Sequence, residues 1–247
     1  MRELKDRIIV ALDLDNLDKA IELVVKLVPA GVKIFKVGSQ LFTAYGPQAV
    51  SRVTEKGARV FLDLKFHDIP NTVYSAVATG TASGTTASMA RTAGNVKDNI
   101  TSPVFMMTVH TKGGLAMLKA AAKAAQEKAG ELKITKPFIV GVTRLTSDED
   151  SGNIKDEVLQ ASRLAKDAGL DGVVCAVSEA AVVRKEFGRD FIIVTPGIRP
   201  KGYAVHDQSR VATAQEAVKE GADYFVIGRP VLEAKDPVAI LKEILIG

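Results

Sequence analysis

The chain has 247 residues, 47% of them hydrophobic and 25% charged, which is the composition of a globular protein with a large core. No segment approaches the roughly 20 consecutive apolar residues of a membrane-spanning helix, so we expect a cytoplasmic protein with no membrane partner. The formal net charge of +4 suits an anionic small-molecule ligand. With only 5% aromatic residues and no tryptophan, the chain offers few rings for stacking on nucleic acid, and we expect no nucleic-acid partner.

Eight apolar, strand-like segments follow one another along the chain, separated by amphipathic helical patterns. The predicted strands are RIIVALDL (7–14), KIFKVGS (33–39), RVFLDLKF (59–66), VFMMTVH (104–110), FIVGVTRL (138–145), GVVCAV (172–177), FIIVTPGI (191–198) and YFVIGRP (224–230). Runs rich in β-branched residues indicate parallel strands that are buried on both faces. Eight strand-and-helix units in about 250 residues predict a TIM (β/α)8 barrel that forms a single domain over residues 1–247.

A doubly wound α/β sheet is the alternative architecture. Such a sheet usually has a glycine-rich first turn, whereas the first turn here, DLDNLD, contains no glycine.

The interval between the third and fourth predicted strands is longer than the pattern requires. From Asp68 to Val104 there are 36 positions, where a helix and its loops need about 20. The surplus, residues 78–102, is rich in small residues, and we expect it to contain a second short helix. Because this segment leads from a helix back to a strand, we expect an insertion at the barrel end opposite the active site, without a catalytic role.

Polar residues stand at the ends of most predicted strands, which is where a TIM barrel builds its active site. Any one of them alone is better explained as a structural polar group, but several charged or hydroxyl groups together at one rim point to an active site. The candidates are Asp13, Lys36, Asp63, Lys65, His110, Thr146, Pro196 and Arg229.

The segment FLDLKFHDIPNT (61–72) brings two carboxylates to one lysine at the end of the third strand. Asp63 and Lys65 are two positions apart, so both point to the barrel interior, and Asp68 lies in the turn that follows. Neighbouring carboxylates favour the charged form of the lysine, which argues against Schiff-base catalysis. A charged lysine is suited to protonating a carbanion or holding negative charge. A structural, buried ion-pair network is the alternative.

The histidines do not form a recognisable metal site. His67, His110 and His206 are far apart in the sequence and show no paired ligand spacing. The end of the second strand offers Lys36, a cation, and no carboxylate. We therefore expect no metal ion.

The loops after the last two strands have the composition of a phosphate site. In TIM barrels these loops commonly bind phosphate through glycine-exposed N–H groups and an arginine, and Gly228 and Arg229 fit that role. The segment from Gly197 to Arg210 is long, polar and contains glycine, as a closing lid would, and we expect Gln208 to reach a phosphate from it. Alternatively, Arg199 and Arg210 only form surface ion pairs. No nucleotide-binding, P-loop or GxSxG motif is present.

Seven motifs, taken together and in order, resemble the orotidine 5'-phosphate decarboxylase family. They are ALDLD, KVGSQLF, DLKFHDIPNT, VHTKGG, VTRLTS, TPGIRP followed by DQSR, and IGRP, and they span residues 8–230. The resemblance implies a cofactor-free TIM-barrel homodimer with shared active sites. It also implies conversion of orotidine monophosphate to uridine monophosphate, the last step of pyrimidine synthesis.

The resemblance also implies a role for each matching residue. Lys65, Asp63 and Lys36 would form a charged catalytic array with Asp68 of the partner subunit. The substrate contacts it implies are Asp13 and Lys36 on the ribose hydroxyls, the partner's Thr72 in the same region, Thr146 on the pyrimidine, and Gln208, Gly228 and Arg229 on the phosphate. Pro196 is counted with the substrate-binding residues.

Two alternatives stay open at this point. A magnesium-dependent sugar-phosphate aldolase or decarboxylase resembling hexulose-6-phosphate synthase would place an acidic metal ligand at the end of the second strand, where this chain has Lys36. A phosphate-binding barrel without catalysis would not need Asp63, Lys65 and Asp68 together.

Overall fold

Eight parallel strands pair in chain order and the eighth pairs with the first, so the sheet closes into a barrel. The strands are β1 (Ile8–Ala11), β2 (Ile34–Gly38), β3 (Arg59–Phe66), β4 (Val104–His110), β5 (Phe138–Val142), β6 (Gly172–Val174), β7 (Ile192–Thr195) and β8 (Tyr224–Ile227). This computed structural model describes residues 3–85, 101–144, 153–200, 203 and 212–246. They form one α/β domain, and the predicted TIM barrel is confirmed.

Helices cover the outside of the barrel. They are α1 (Leu17–Leu27), α2 (Ser39–Tyr45), α3 (Pro47–Thr54), α4 (Pro70–Ala82), α5 (Gly114–Leu132), α6 (Ile154–Asp167), α7 (Val177–Phe187), α8 (Ala214–Lys219), α9 (Arg229–Leu232) and α10 (Pro237–Ile246). In α1, the Asn16 side chain caps the helix by accepting a hydrogen bond from the Lys19 N–H. Within the described ranges, no helix is long and apolar enough to cross a membrane.

Side chains alternate between the two faces of the barrel wall. On β3, Val60 and Leu62 point outward and pack against the helices, whereas Phe61 between them points inward. The inward apolar residues form a separate inner cluster of Ile9, Ala11, Ile34, Phe61, Phe105, Met106, Val140, Val194, Tyr224 and Val226. Ile34, Phe105 and Tyr224 are the first or second residues of their strands, so the inner cluster fills the amino-terminal part of the barrel. At the carboxyl end its members Ala11, Phe61 and Val226 share the wall of a cavity with polar groups.

Most strands end earlier than the sequence predicted. β1 ends at Ala11 rather than at residue 14, and β8 ends at Ile227 rather than at residue 230. The chain leaves the ladder at these points because the next residues form loops or begin helices, as Arg229 begins α9. Several polar residues predicted at strand ends therefore lie just beyond the hydrogen-bonded part of the barrel.

Two irregularities interrupt the pairing of β3 with β4, and the second of them, a bulge in β3, lies at the cavity. Leu62 pairs with Met107 and Phe66 pairs with Val109, so residues 63, 64 and 65 of β3 face only residue 108 of β4. Within this bulge Lys65 has a φ of 49°, one of two positive values for residues other than glycine in the described chain. A bulge re-aims the side chains of the strand that carries it, and here it lies in the DLK segment.

The predicted insertion lies largely outside the described residues. Helix α4 extends to Ala82, and the description resumes at residue 101, shortly before β4. Residues 86–100 fall in the interval between, so the second short helix and the surface role expected for residues 78–102 stay predictions.

Candidate active site

A cavity of about 530 Å³ opens at the carboxyl ends of the strands. Its walls come from the ends of β1, β2, β3, β5, β6, β7 and β8, so residues far apart in the sequence meet there. The sequence-predicted site residues that line it are Asp13, Lys36, Asp63, Lys65, Pro196, Gly228 and Arg229. The structure therefore brings together most of the predicted rim at one cavity, as a TIM-barrel active site requires.

Four of these side chains, from the loop after β1 and from β2 and β3, form a row of alternating charge. Lys36 Nζ lies 2.8 Å from Asp13 Oδ1 and 3.6 Å from Asp63 Oδ2. Lys65 Nζ lies 2.9 Å from the same Asp63 Oδ2. We call Asp13, Lys36, Asp63 and Lys65 the charged row. Each ammonium has a carboxylate beside it, which is the arrangement that offsets the cost of removing charges from water.

The middle of the charged row is buried and its ends are open. The side chains of Lys36 and Asp63 are 11% and 12% exposed, whereas those of Lys65 and Asp13 are 38% and 46% exposed. Burial alone raises the pKa of Asp63, but the ammonium groups of Lys36 and Lys65 and the hydrogen bonds from Lys65 and Thr108 outweigh it. The pKa of Asp63 therefore lies below its ordinary value, and its carboxylate is ionised at neutral pH.

Thr108 is a site residue that the sequence reasoning missed. It lies on β4, is fully buried, and its hydroxyl contacts both Asp63 and the backbone of Lys65. The signal was present, because Thr108 alternates with the outward-facing Met107 and Val109 and so must point inward, beside the DLK segment.

Gly38 is a second missed residue, at the end of β2. A Cβ atom at this position would lie 2.8 Å from Lys36 Nζ and 2.9 Å from Asp13 Oδ1. Such distances are shorter than real Cβ contacts, so only glycine leaves room for the ion pair in its present position. The signal in the sequence was a glycine two residues after an inward-facing lysine.

Two arginines line the cavity that were not among the predicted site residues. Arg199 is 4% exposed, so the alternative that it only forms a surface ion pair is wrong. The loop that begins at Pro196 turns it inward to the cavity instead. Arg144 follows β5 and forms an ion pair with Glu157 at 2.6 Å. The cavity thus has cationic groups on the side of β5 and β7 as well as on β2 and β3.

Gly228 and Arg229 lie where the last strand passes into α9. Gly228 precedes the helix and Arg229 is its first residue, and both line the cavity. The Asp13 carboxylate is close by, 3.9 Å from where a Cβ on Gly228 would be. The predicted phosphate-binding pair is therefore beside the charged row.

Asp68 and Thr72 do not meet the charged row of their own chain. Both are exposed, on the turn before α4 and in its first turn, and neither lines the cavity. Asp68 Oδ1 accepts a hydrogen bond from the Ile69 N–H instead. Their assignment to the site of a partner subunit stays a prediction. Thr146, Gln208, His206 and Arg210 lie outside the described residues.

The potential metal ligands are dispersed in the described part of the chain. No group of three or more histidine, cysteine, aspartate or glutamate side chains is placed to hold a metal ion there. His67 and His110 do come together, but as stacked rings with centroids 5.5 Å apart. The expectation of a metal-free site stays a prediction.

Comparison with known proteins agrees with the geometry of this site. The orotidine 5'-phosphate decarboxylase / HUMPS family matches residues 6–244. An orotidine 5'-phosphate decarboxylase of Moorella thermoacetica is 45% identical to this chain, covering 97% of it and 91% of the relative. That of Nitrosococcus oceani is 42% identical, covering 97% of this chain and 96% of the relative.

A solved structure shows the same fold. The crystal structure of orotidine 5'-phosphate decarboxylase from Lactobacillus acidophilus superimposes with a TM-score of 0.77 at 34% identity, and the match covers 97% of each chain. The sequence match, the shared barrel and the charged row at its carboxyl end lead to one conclusion: this chain belongs to the orotidine 5'-phosphate decarboxylase / HUMPS family.

Proposed function

We propose that this protein decarboxylates orotidine 5'-monophosphate to uridine 5'-monophosphate, in pyrimidine synthesis. The observation that carries the proposal is the ammonium of Lys65, held 2.9 Å from the ionised Asp63 at the wall of the cavity. Relatives that are 40–45% identical over nearly the whole chain bear the name of this activity. The protein is thus a carboxy-lyase.

The substrate is an anion at both ends, and the cavity has matching groups for it. We assign the phosphate to Gly228 and Arg229, with Gln208 approaching from the loop after β7. We assign the ribose hydroxyls to Asp13 and Lys36, which lie between Lys65 and the two proposed phosphate-binding residues. Thr146 is assigned to the pyrimidine ring and Pro196 to the wall beside it. The lining of the cavity by Asp13, Lys36, Pro196, Gly228 and Arg229 supports this order.

The chemistry requires a positive charge at the carbon that loses its carboxylate. When the C–C bond breaks, CO2 leaves and the electron pair stays on the ring carbon. The Lys65 ammonium stabilises this carbanion and then donates a proton to it, and the resulting neutral amine is reprotonated from solvent. Asp63 keeps Lys65 in place and faces the departing carboxylate, so that repulsion between the two carboxylates is relieved as CO2 leaves.

Binding of the phosphate contributes to catalysis at a distance. Arg229 lies away from the reacting bond, so its interaction with the phosphate does not change directly during bond breaking. The energy of that contact is used to close the loop after β7 over the substrate and to hold the ring against Lys65.

A homodimer would complete the site. Asp68 and Thr72 are exposed and do not line the cavity of their own chain, and Ile69 between them is 66% exposed, which is unusual for a large apolar residue. These features support a subunit contact that delivers Asp68 and Thr72 to the cavity of the partner subunit.

A mixing experiment tests this dimer. Inactive Lys65→Ala chains mixed with inactive Asp68→Ala chains should restore activity in part, because each mixed dimer has one intact site.

The two alternatives find less support. Lys36 occupies the end of β2, where the magnesium-dependent relatives would need an acidic ligand, and its amine already contacts two carboxylates. A barrel that only binds phosphate would have no reason to maintain two buried charges next to Lys65. The location of the protein in the cytoplasm stays a prediction.

The decisive experiment follows the loss of absorbance of orotidine monophosphate, with and without excess EDTA. We expect rapid conversion to uridine monophosphate that EDTA leaves unchanged. Conversion that stops in EDTA would favour the magnesium-dependent alternative. Absence of conversion by a folded wild-type protein that still binds uridine monophosphate would indicate a binding protein.

A further inference from the structure

We propose that Thr108 is a positioning residue of this active site, which fixes the carboxylate of Asp63 and the backbone of Lys65 relative to each other. This inference rests on the proposed function for its effect on turnover. The contacts of Thr108 that support the inference do not depend on that function, because they belong to the pairing of β3 with β4.

Thr108 is the only residue of β4 opposite the bulge of β3. Between the pairs Leu62–Met107 and Phe66–Val109, three residues of β3 face this one residue. The regular ladder of backbone hydrogen bonds is interrupted there, and the Lys65 N–H needs another acceptor. The Thr108 hydroxyl supplies it, with an N–O distance of 2.8 Å.

The same hydroxyl also serves as a donor. Its proton goes to Asp63 Oδ1 at 3.0 Å, while Lys65 Nζ and Lys36 Nζ approach Oδ2 at 2.9 and 3.6 Å. One oxygen of the carboxylate therefore faces β4 and the other faces the two ammonium groups. A hydroxyl has one proton and two lone pairs, so it can make both contacts at once. Thr108 thereby sets the plane of the carboxylate.

The backbone of Lys65 shows why such a contact is needed. Its φ of 49° lies in the left-handed region, which residues other than glycine rarely adopt. Residues held in this region persist only where surrounding contacts impose the conformation. The hydrogen bond from the Lys65 N–H to a fully buried side chain is such a contact. The position of the Lys65 amine in the cavity thus depends on a hydroxyl on the neighbouring strand.

The first experiment removes the hydroxyl and keeps the shape. Thr108→Val should lower kcat by about 10- to 100-fold, since small displacements of reacting groups have effects of that size, while KM stays within about threefold. Thr108→Ser keeps the hydroxyl and should recover most of the activity. Thr108→Ser and Thr108→Ala form a second pair that differs by the hydroxyl alone, and this pair decides the question if the valine variant does not fold.

The pH profile distinguishes positioning from packing. The groups facing Asp63 are Lys36 on β2, Lys65 on its own strand and Thr108 on β4, with Asp13 on the far side of Lys36. A hydrogen bond to the carboxylate favours its ionised form, so removal of the Thr108 hydroxyl should move the acid limb of kcat/KM to higher pH. A residue that only fills space would leave that limb in place.

Thr195 provides a matched control. It is a fully buried threonine on β7, and its hydroxyl makes no hydrogen bond to the described residues. It follows the inward-facing Val194 and so points to the helices rather than to the cavity. Thr195→Val should leave kcat and the pH profile unchanged.

The possible results separate this inference from the proposed function. If the wild type converts orotidine monophosphate and Thr108→Val matches it in kcat and in its acid limb, the inference is wrong and the proposed function stands. If the wild type does not convert it, hydrogen exchange of the Lys65 amide decides. Lost protection in Thr108→Val, but not in Thr108→Ser or Thr195→Val, would support the inference, and equal protection in all of them would overturn it.

Discussion

Lys36 contacts Asp13 at 2.8 Å and Asp63 at 3.6 Å, so one buried ammonium joins a carboxylate from the loop after β1 to a carboxylate from β3. In the proposed assignment, Asp13 belongs to the ribose side of the cavity and Asp63 to the reacting carbon. The charged row thereby connects substrate binding to the chemical step through direct contacts, and its parts can be tested one by one.

The first prediction concerns the proton donor. Lys65→Ala should abolish measurable turnover, a loss of at least about 10⁴-fold in kcat given the usual contribution of a positioned acid and the lost charge. Binding of uridine monophosphate, measured by calorimetry, should persist because the phosphate and ribose groups remain. Lys26→Ala, at an exposed position of α1, is the control. Near-normal turnover by Lys65→Ala would refute the assignment.

The second prediction concerns stability and pH. The pKa of Asp63 in the folded protein lies below its ordinary value of 3.8, so the ionised carboxylate stabilises the fold at neutral pH. This stabilisation is present above the ordinary value and is lost as the pH falls through the folded pKa. Asp63→Asn should therefore be destabilised at pH 7 by about 3 kcal/mol, the usual cost of breaking a buried pair.

The measurement for Asp63→Asn is urea unfolding over a range of pH. The difference in unfolding free energy from wild type should shrink as the solution is made more acidic than about pH 4, the ordinary range of an aspartate. Glu22→Gln changes an exposed carboxylate on α1 and should show no such trend. A difference that stays constant with pH would contradict the role given to the ionised Asp63.

The third prediction concerns the space at Gly38. In Gly38→Ala the new methyl group would displace the Lys36 and Asp13 side-chain ends, which lie 2.8 and 2.9 Å from its position. We expect the protein to fold, since side-chain ends can move, and KM for orotidine monophosphate to rise about tenfold, the equivalent of one hydrogen bond of ordinary strength.

Gly130→Ala is the control for Gly38→Ala. Gly130 is a helical glycine with nothing within 4 Å of an added Cβ, so alanine should leave KM unchanged and stabilise α5 slightly. Equal KM values for the two variants would show that the ion pair of Lys36 and Asp13 has no part in binding.

The fourth prediction separates phosphate from nucleoside recognition. Arg229→Ala should weaken binding of uridine monophosphate by about 10- to 100-fold, as expected for loss of a hydrogen bond between charged groups. Binding of uridine, which has no phosphate, should not change. Arg163→Ala removes an exposed arginine on α6 that pairs with Glu186 and serves as control. If Arg229→Ala weakens the binding of uridine monophosphate and of uridine equally, Arg229 does not bind the phosphate.

Much of the barrel and part of the site followed from short-range patterns. Alternation along β3 was enough to place Asp63 and Lys65 on the inner face, because inward and outward residues keep their order even through the bulge. The bulge itself was not predicted, since Phe61, Asp63 and Lys65 all point inward whether or not Lys65 is left-handed. Thr108 was missed because a threonine within an apolar, β-branched run is typical of any strand.

Other predictions depended on contacts that a linear pattern does not contain. The residues around Arg199 in the sequence have the composition of a surface loop. Only the path of the chain after Pro196 shows that Arg199 is buried. Asp68 and Thr72 require a second copy of the chain before their position can be judged. Thr146 and Gln208 lie outside the described residues, so their roles rest on resemblance alone.

The inner cluster has a consequence for the traffic of small molecules. Phe105 and Tyr224 stack edge to face in the barrel interior, and the guanidinium of Arg59 lies 4.3 Å from the centre of the Phe105 ring. Both rings belong to the inner cluster, whereas the cavity lies at the carboxyl ends of the strands. We therefore expect the nucleotide to enter, CO2 to leave and protons to return to Lys65 at the same, carboxyl end of the barrel.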